Sequence, residues 1–232
     1  MFVSRRVTIL GSRKDALHTD GDFLYAANRS LKYFPDVART HKRIVFVSNA
    51  ATMNDVAQIM SRIPHETVKE VIHVMRPDSE TSEQYRAENF ECDLYVYSTS
   101  DTQALLQDVC GLEVPIAAMS RQLMGRFRSL IVPFLKMRYP NAAMFRPSTG
   151  VLALLLAIAR FGDQATYTLA GIGATSRHSH PNGEVTAGTS RRLRIPQHVM
   201  ADCGILQSLS WKYDISSDDQ YLAQLCNLQY VA

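Results

Sequence analysis

The chain has 232 residues, 46% hydrophobic and 20% charged, enough to bury roughly 70–75% of the surface its unfolded form exposes without disulfide or metal staples. Its 25 Lys and Arg stand against 22 Asp and Glu, a net charge of +3, which suits an anionic small ligand and is too little to argue for a nucleic acid polymer. Eleven glycines, nine prolines and no low-complexity stretch exclude disorder, collagen-like repeats and long linkers.

The four cysteines (Cys92, Cys110, Cys203, Cys226) are scattered, with no Cys-x-x-Cys pair. A reduced, intracellular chain explains them best, with a single disulfide left open. No signal peptide is read in Met1–Arg6, and the longest apolar run, Val151 to Ala159, is nine residues and too short to span a bilayer. The expectation is a cytoplasmic protein built as one domain over residues 1–232.

Val7-Thr8-Ile9-Leu10 is a β-branched run stopped by Gly11-Ser12, the strand and tight turn with which open α/β sheets begin. Phe23 to Ala27 reads as a second strand ending at Asn28, and Arg43 to Val47 as a third ending at Ser48-Asn49. A helix follows from about Ala51 to Arg62, with Thr52 or Asn54 as its cap. Val68–Val74 and Leu94–Tyr97 are two more strands, separated by a polar surface segment, Asp78–Asn89. Asp101 should cap a helix that Gly111 ends, and Ala118–Arg138 is a long amphipathic stretch.

Arg146-Pro147-Ser148-Thr149-Gly150 then opens Val151–Ala159, which is apolar on every face and so reads as a helix buried in the middle of the protein. Thr166–Ile172 is a strand. Residues 173–196, rich in Gly, Ser, Thr and His and carrying Arg191, Arg192 and Arg194, have no period and read as a lid. A last helix runs from Gln197 to about Trp211. Strands alternating with helices predict a single doubly wound, mostly parallel, Rossmann-like sheet.

Ligands of such sheets bind at the carboxyl ends of strands. Those ends carry Gly11-Ser12, Asn28, Ser48-Asn49, Ser98-Thr99 and Gly171-Ile172-Gly173; each taken singly is also an ordinary turn or cap. Ser148-Thr149-Gly150 is more pointed, because a buried helix N-terminus offers unpaired amides and a dipole to an anion. The bland reading is a plain Ser/Thr N-cap. His198 opens the last helix with Asp202 four residues on; a neutral imidazole there could accept a proton near pH 7, and a solvated cap neighbour is the alternative. His178-x-His180 has no third ligand at convincing spacing, so no metal is expected. Arg191 and Arg194 are either solvated or lid contacts to phosphate and acid. There is no P-loop, no Gly-x-Ser-x-Gly elbow and no full Gly-x-Gly-x-x-Gly. Asp20-Gly21-Asp22 fits the spacing of a diphosphate-metal motif but lies ahead of a strand.

In order, strand–Gly11-Ser12, strand–Asn28, Arg-Pro-Ser148-Thr149-Gly150 before a buried helix, strand–Ala170-Gly171-Ile172, a lid and His198-x-x-x-Asp202 resemble the bacterial sialyltransferases that cap lipooligosaccharides. The resemblance covers most of the chain as short blocks. It implies one α/β domain with a lid, a CMP-activated acidic sugar as donor, no metal or other cofactor, and a glycan or glycolipid acceptor of the cell envelope such as lipopolysaccharide or capsule. It leaves open an oligomer and peripheral association with the inner face of the cytoplasmic membrane.

Carried over, Gly11 and Ser12 would lie at the nucleotide phosphate, and Asn28 would approach phosphate and sugar. Ser148, Thr149 and Gly150 would hold the sugar carboxylate, Gly171 and Gly173 would border the donor, and His178, His180, Arg191 and Arg194 would sit in the lid. His198 would be the general base. Two departures are plain. The family's Gly-Asn-Gly-Pro-Ser turn is Gly11-Ser12-Arg13-Lys14-Asp15 here, and its Gly-Ile-Asp is Gly171-Ile172-Gly173, so a carboxylate that would contact the nucleotide is missing. Sialic acid and Kdo both fit as the sugar, and a nucleotide-binding protein that lost turnover is the alternative.

Overall fold

The computed structural model describes residues 4–13, 16–17, 20–49, 52–74, 92–111, 147–173 and 197–232. The polar segment 78–89, the amphipathic stretch 118–138 and the lid from 174 to 196 lie outside them.

Eight strands form one sheet: β1 Arg5–Leu10, β2 Gly21–Ala27, β3 His41–Asn49, β4 Val68–Val74, β5 Asp93–Tyr97, β6 Ala165–Ala170, β7 Ile215–Ser217 and β8 Gln229–Tyr230. Their spatial order is 5-4-3-2-1-6-7-8, and every pairing is parallel. The sheet is thus wholly parallel, where mostly parallel was expected, and its Rossmann-like winding is as expected. From β1 the chain builds outward through β5 on one side, then returns to lay β6 against the other edge of β1. That reversal falls at the carboxyl ends of β1 and β6, the place where parallel α/β sheets hold their ligands.

The central strands are buried on both faces, which is why they read as unbroken apolar runs. Val7, Ile9, Tyr25, Val45, Val47, Tyr167 and Leu169 point to one helical layer. Leu10, Leu24, Ala26, Ile44, Phe46 and Ala170 point to the other. The first layer holds α3 (Thr99–Cys110), α4 (Thr149–Phe161), α5 (Gln197–Leu209) and α6 (Gln220–Cys226). The second holds α1 (Ser30–Tyr33), a 3-10 turn at Pro35–Thr40 and α2 (Met53–Met60). α4 crosses β1, β2 and β3 with every residue from Gly150 to Ile158 buried, as its uniformly apolar sequence predicts. Among the described residues no helix is long and apolar enough to cross a membrane.

Several boundaries differ from the sequence reading. α3 is capped by Ser98, not Asp101: the Asp101 amide donates to Ser98 Oγ at 3.2 Å while the Asp101 carboxylate takes the Ser98 N–H at 2.7 Å. Asp101 is the third residue of a capping box, so its acid serves the helix from inside the first turn. β6 stops at Ala170 because Gly171 turns left-handed, with φ 68. β2 starts at Gly21, which draws Asp22 into the strand, where it accepts from the Arg6 amide at 3.1 Å and Lys42 Nζ at 3.0 Å. α1, the 3-10 turn, β7, α6 and β8 are not foreshadowed by the sequence pattern; β7 and β8 are three and two residues long, too short to display a period.

Candidate functional site

The junction of the β1 and β6 ends is assembled by glycines that let backbone approach backbone. Gly11 N–H donates to Ala170 O at 2.7 Å, and Arg13 N–H to Gly171 O at 3.0 Å. A β-carbon on Gly11 would stand 2.3 Å from Gly171 O, and one on Gly171 would stand 2.7 Å from Ala16 Cβ. A β-carbon on Gly150 would meet Ile172 Cδ1 at 2.8 Å. Blocks far apart in sequence therefore converge here: the turn after β1, the turn after β6 and the start of α4. The space opposite Gly150, expected for a ligand, is taken by Ile172.

The start of α4 is already satisfied from within. Ser148 is its N-cap, accepting the Val151 amide on Oγ at 3.3 Å. The Ser148 amide donates to Asp202 Oδ1 at 2.8 Å. Asp202, on α5, is 8% exposed. Burial pushes its carboxyl up to about 6, against the opposing pull of its bonds to Ser148. The anion at this helix end is thus one of the protein's own carboxylates, a partner that His198-x-x-x-Asp202 did not reveal. Thr149 is the first helical residue and half-buried beside it.

Arg13 is clamped across this junction. Its Nη1 lies 2.5 Å from Asp219 Oδ2 and its Nη2 lies 3.0 Å from Asp218 Oδ1. Asp218 Oδ2 also accepts the amides of Gly171 and Leu17, each at 2.8 Å. Asp219 Oδ1 caps α6 through the Leu222 amide at 2.8 Å. A β-carbon on Gly173 would stand 2.6 Å from Asp219 Oδ2. The Asp219 carboxylate therefore stands beside Gly173, reaching in from the turn between β7 and α6. The Asp218-Asp219 pair ahead of a short helical pattern was the available signal.

One strand further out lies a polar ledge. Asn28 is left-handed, φ 52, with its amide on Val47 O at 2.8 Å. Thr52 Oγ1 approaches Asn28 Oδ1 at 3.3 Å and Asn49 O at 3.1 Å, and the Ser48 and Thr52 hydroxyls share a short hydrogen bond. Thr52 precedes α2 but spends its hydroxyl on this ledge and makes no side-chain cap bond. Ser48 and Thr52 are buried, while Asn28 and Asn49 are half-exposed. Ser12 is half-buried at the turn after β1. Since Leu10 pairs with Ala26 and Ala26 with Phe46, the three strand ends finish side by side.

His198 stands in the first turn of α5, four residues before Asp202; its side chain lies outside the described residues. His178, His180, Arg191 and Arg194 also lie outside them. Among the described residues no group of three or more His, Cys, Asp or Glu could hold a metal ion.

Fold and site together define a doubly wound parallel α/β protein whose polar residues gather where the winding reverses. Searches for a protein family, a curated relative and a related solved structure find no match to this chain.

Proposed function

We propose that the protein is a glycosyltransferase that moves an acidic 2-keto-3-deoxy sugar, sialic acid or Kdo, from CMP to a hydroxyl of a cell-envelope glycan, with inversion and without a metal. The observation that carries this reading is the convergence of the Gly11, Ser148-Thr149-Gly150 and Gly171-Ile172-Gly173 blocks at one switch point, with Asn28 on a neighbouring strand end. In this reading the acceptor oxygen attacks the anomeric carbon as CMP departs. His198 takes the acceptor proton, and the half-exposed amides of Asn28 and Asn49 orient the nucleotide. A leaving group with one phosphate carries less charge than a diphosphate, which relaxes the need for a cation.

One observation favours the second reading, a nucleotide-binding protein without turnover. Arg13 is neutralised by Asp218 and Asp219, and the α4 N-terminus is capped by Asp202, so two positive ends that could steady a phosphate and a sugar carboxylate are already partnered.

The deciding experiment is a thermal-shift panel of CMP-sialic acid, CMP-Kdo, CMP and unrelated nucleotide sugars with chelator present, followed by CMP release from any stabilising donor. Saturation at 100 times Kd should add roughly 2.7 kcal/mol. Stabilisation with slow CMP release supports the transferase, and stabilisation without release supports the binder. Indifference to every CMP compound, with a response to another nucleotide sugar, refutes the CMP-sugar transferase, and indifference to every nucleotide compound refutes both.

A further inference from the structure

Six large apolar side chains are exposed among the described residues, and four of them fall in the stretch that builds the β7–β8 end of the sheet: Trp211 (83%), Tyr221 (55%), Leu225 (41%) and Tyr230 (51%). Tyr221 and Leu225 are one turn apart on α6 and so share a face. β8, which carries Tyr230, packs beside α6. Trp211 follows α5, whose Gln207 Nε2 donates to Leu225 O at 2.9 Å and ties the two helices together. From Gln220 to Ala232 no residue is charged, in a chain that is 20% charged. Exposed Trp and Tyr on a surface without charge mark the centre of a protein interface more than they mark a solvated edge.

β8 is also the outermost strand on this side of the sheet among the described residues. Its inner side is spent on β7: the Val231 N–H donates to Ser217 O at 3.0 Å, and Ser217 is in register with Tyr230. In a parallel ladder the bonds go to the residues that flank the registered partner. The N–H and C=O of Tyr230 itself therefore point the other way, to the open edge. Such an edge is a template for another strand.

We propose that this face is the contact with a second copy of the chain, in a two-fold dimer whose sheets join through β8. A two-fold axis at the edge sets β8 antiparallel to its mate, and the smallest antiparallel unit is one residue on each strand exchanging both N–H···O=C bonds. Tyr230 supplies one outward donor and one outward acceptor, and a symmetric copy returns both. A strand of two residues gives a longer foreign peptide little more to hold. The side chains agree, since a face without charge meets its own copy with no like charges opposed and gives an acidic or basic partner nothing to select. Aromatic side chains bury 150–250 Å² each, so at these exposures the four side chains present roughly 350–550 Å², about half or more of the ~800 Å² per partner of a standard interface. Gln220, Gln224, Asn227 and Gln229 are exposed on the same elements and supply an uncharged polar rim.

The test follows the full chain by sedimentation velocity up to about 100 µM, where an interface of this size should be populated, with fluorescence and far-UV circular dichroism on the same samples. Trp211 is the one tryptophan of the chain, so its emission should move to shorter wavelength as the dimer forms. Tyr221→Glu with Leu225→Glu changes two exposed side chains, should keep the wild-type dichroism, and should raise the dimer dissociation constant by about 30-fold or more, as loss of central contacts does. Leu225→Glu and Leu225→Lys should each associate weakly alone and recover a mixed dimer when combined. A chain that stays monomeric at the highest concentration would overturn the proposal. So would a dimer that the Glu pair leaves intact with Trp211 emission unmoved, which puts the contact on another face, or a Glu–Lys mixture that associates no better than either variant alone. Tyr230→Pro removes the outward N–H, and wild-type dimerisation in that variant would overturn the β8 pairing. None of these readouts depends on glycosyl transfer.

Discussion

The buried carboxylate of Asp202 makes a quantitative test of the described site. Its pKa stands at about 6 in the folded protein against an ordinary 3.8, about two units, and each unit is worth about 1.4 kcal/mol. Between these values the native state keeps the proton longer than the unfolded chain does. Stability is therefore present in full below pH 4, falls as pH rises from about 4 to 6, and levels off lower above that. At pH 7 the charged form costs the fold about 3 kcal/mol. Asp202→Asn removes the desolvated charge while its side-chain oxygen can still accept the Ser148 amide. It also forfeits the attraction of an anion to the α4 N-terminus, about 0.3–1 kcal/mol. The variant should be more stable than the wild type by about 2 kcal/mol at pH 7, with the advantage shrinking toward zero near pH 4. Urea unfolding of both proteins in half-unit steps from pH 4 to pH 7.5 measures the difference curve. Parallel curves, or a less stable Asn variant at pH 7, would refute the burial argument.

Gly11→Ala should destabilise the fold by at least about 2–3 kcal/mol in urea unfolding, because the new methyl meets the Gly171 carbonyl and backbone has little room to yield. Wild-type stability in this variant would mean that the β1 and β6 turns are not in contact. Arg13→Met should cost about 3–5 kcal/mol by leaving two buried carboxylates without their cation, and adding Asp219→Asn should recover part of it; strict additivity of the two changes would break the ion-cluster account. Gly150→Ala should lose stability through Ile172 and regain much of it with Ile172→Val, which removes the Cδ1 atom that the methyl would meet. No recovery in the double variant would place the strain elsewhere. If the proposed transferase reading holds, His198→Ala should lower turnover of a CMP-sugar donor by roughly 10²–10⁴-fold with donor affinity little changed; full turnover would refute His198 as the base.

The strands and the buried helix were legible because their signals are local. β1 and β3 are β-branched runs and β2 an aromatic and apolar one since both sheet faces are covered, and α4 is apolar all round since it lies within the larger helical layer. Ser148 could be read as a cap because its hydroxyl serves an amide only three residues on. The same locality makes the Gly11, Asn28 and Gly171 turns legible as strand ends from the sequence.

What meets at those ends was decided by tertiary structure alone. A glycine reads alike whether it admits a ligand or another backbone, and only the return of β6 to the edge of β1 shows Gly11 pressed against Gly171. Asp202 finds the α4 amide across 54 residues of sequence, and Asp218 finds Arg13 across 205. No period or capping rule spans such distances, because helical and strand patterns register neighbours within one or two turns. The carboxylate beside Gly173 belongs to Asp219, two residues beyond β7, a three-residue strand held in place by its parallel pairing with β6 and not by any propensity of its own. Local chemistry determined the elements; the closure of the sheet decided which charges face one another.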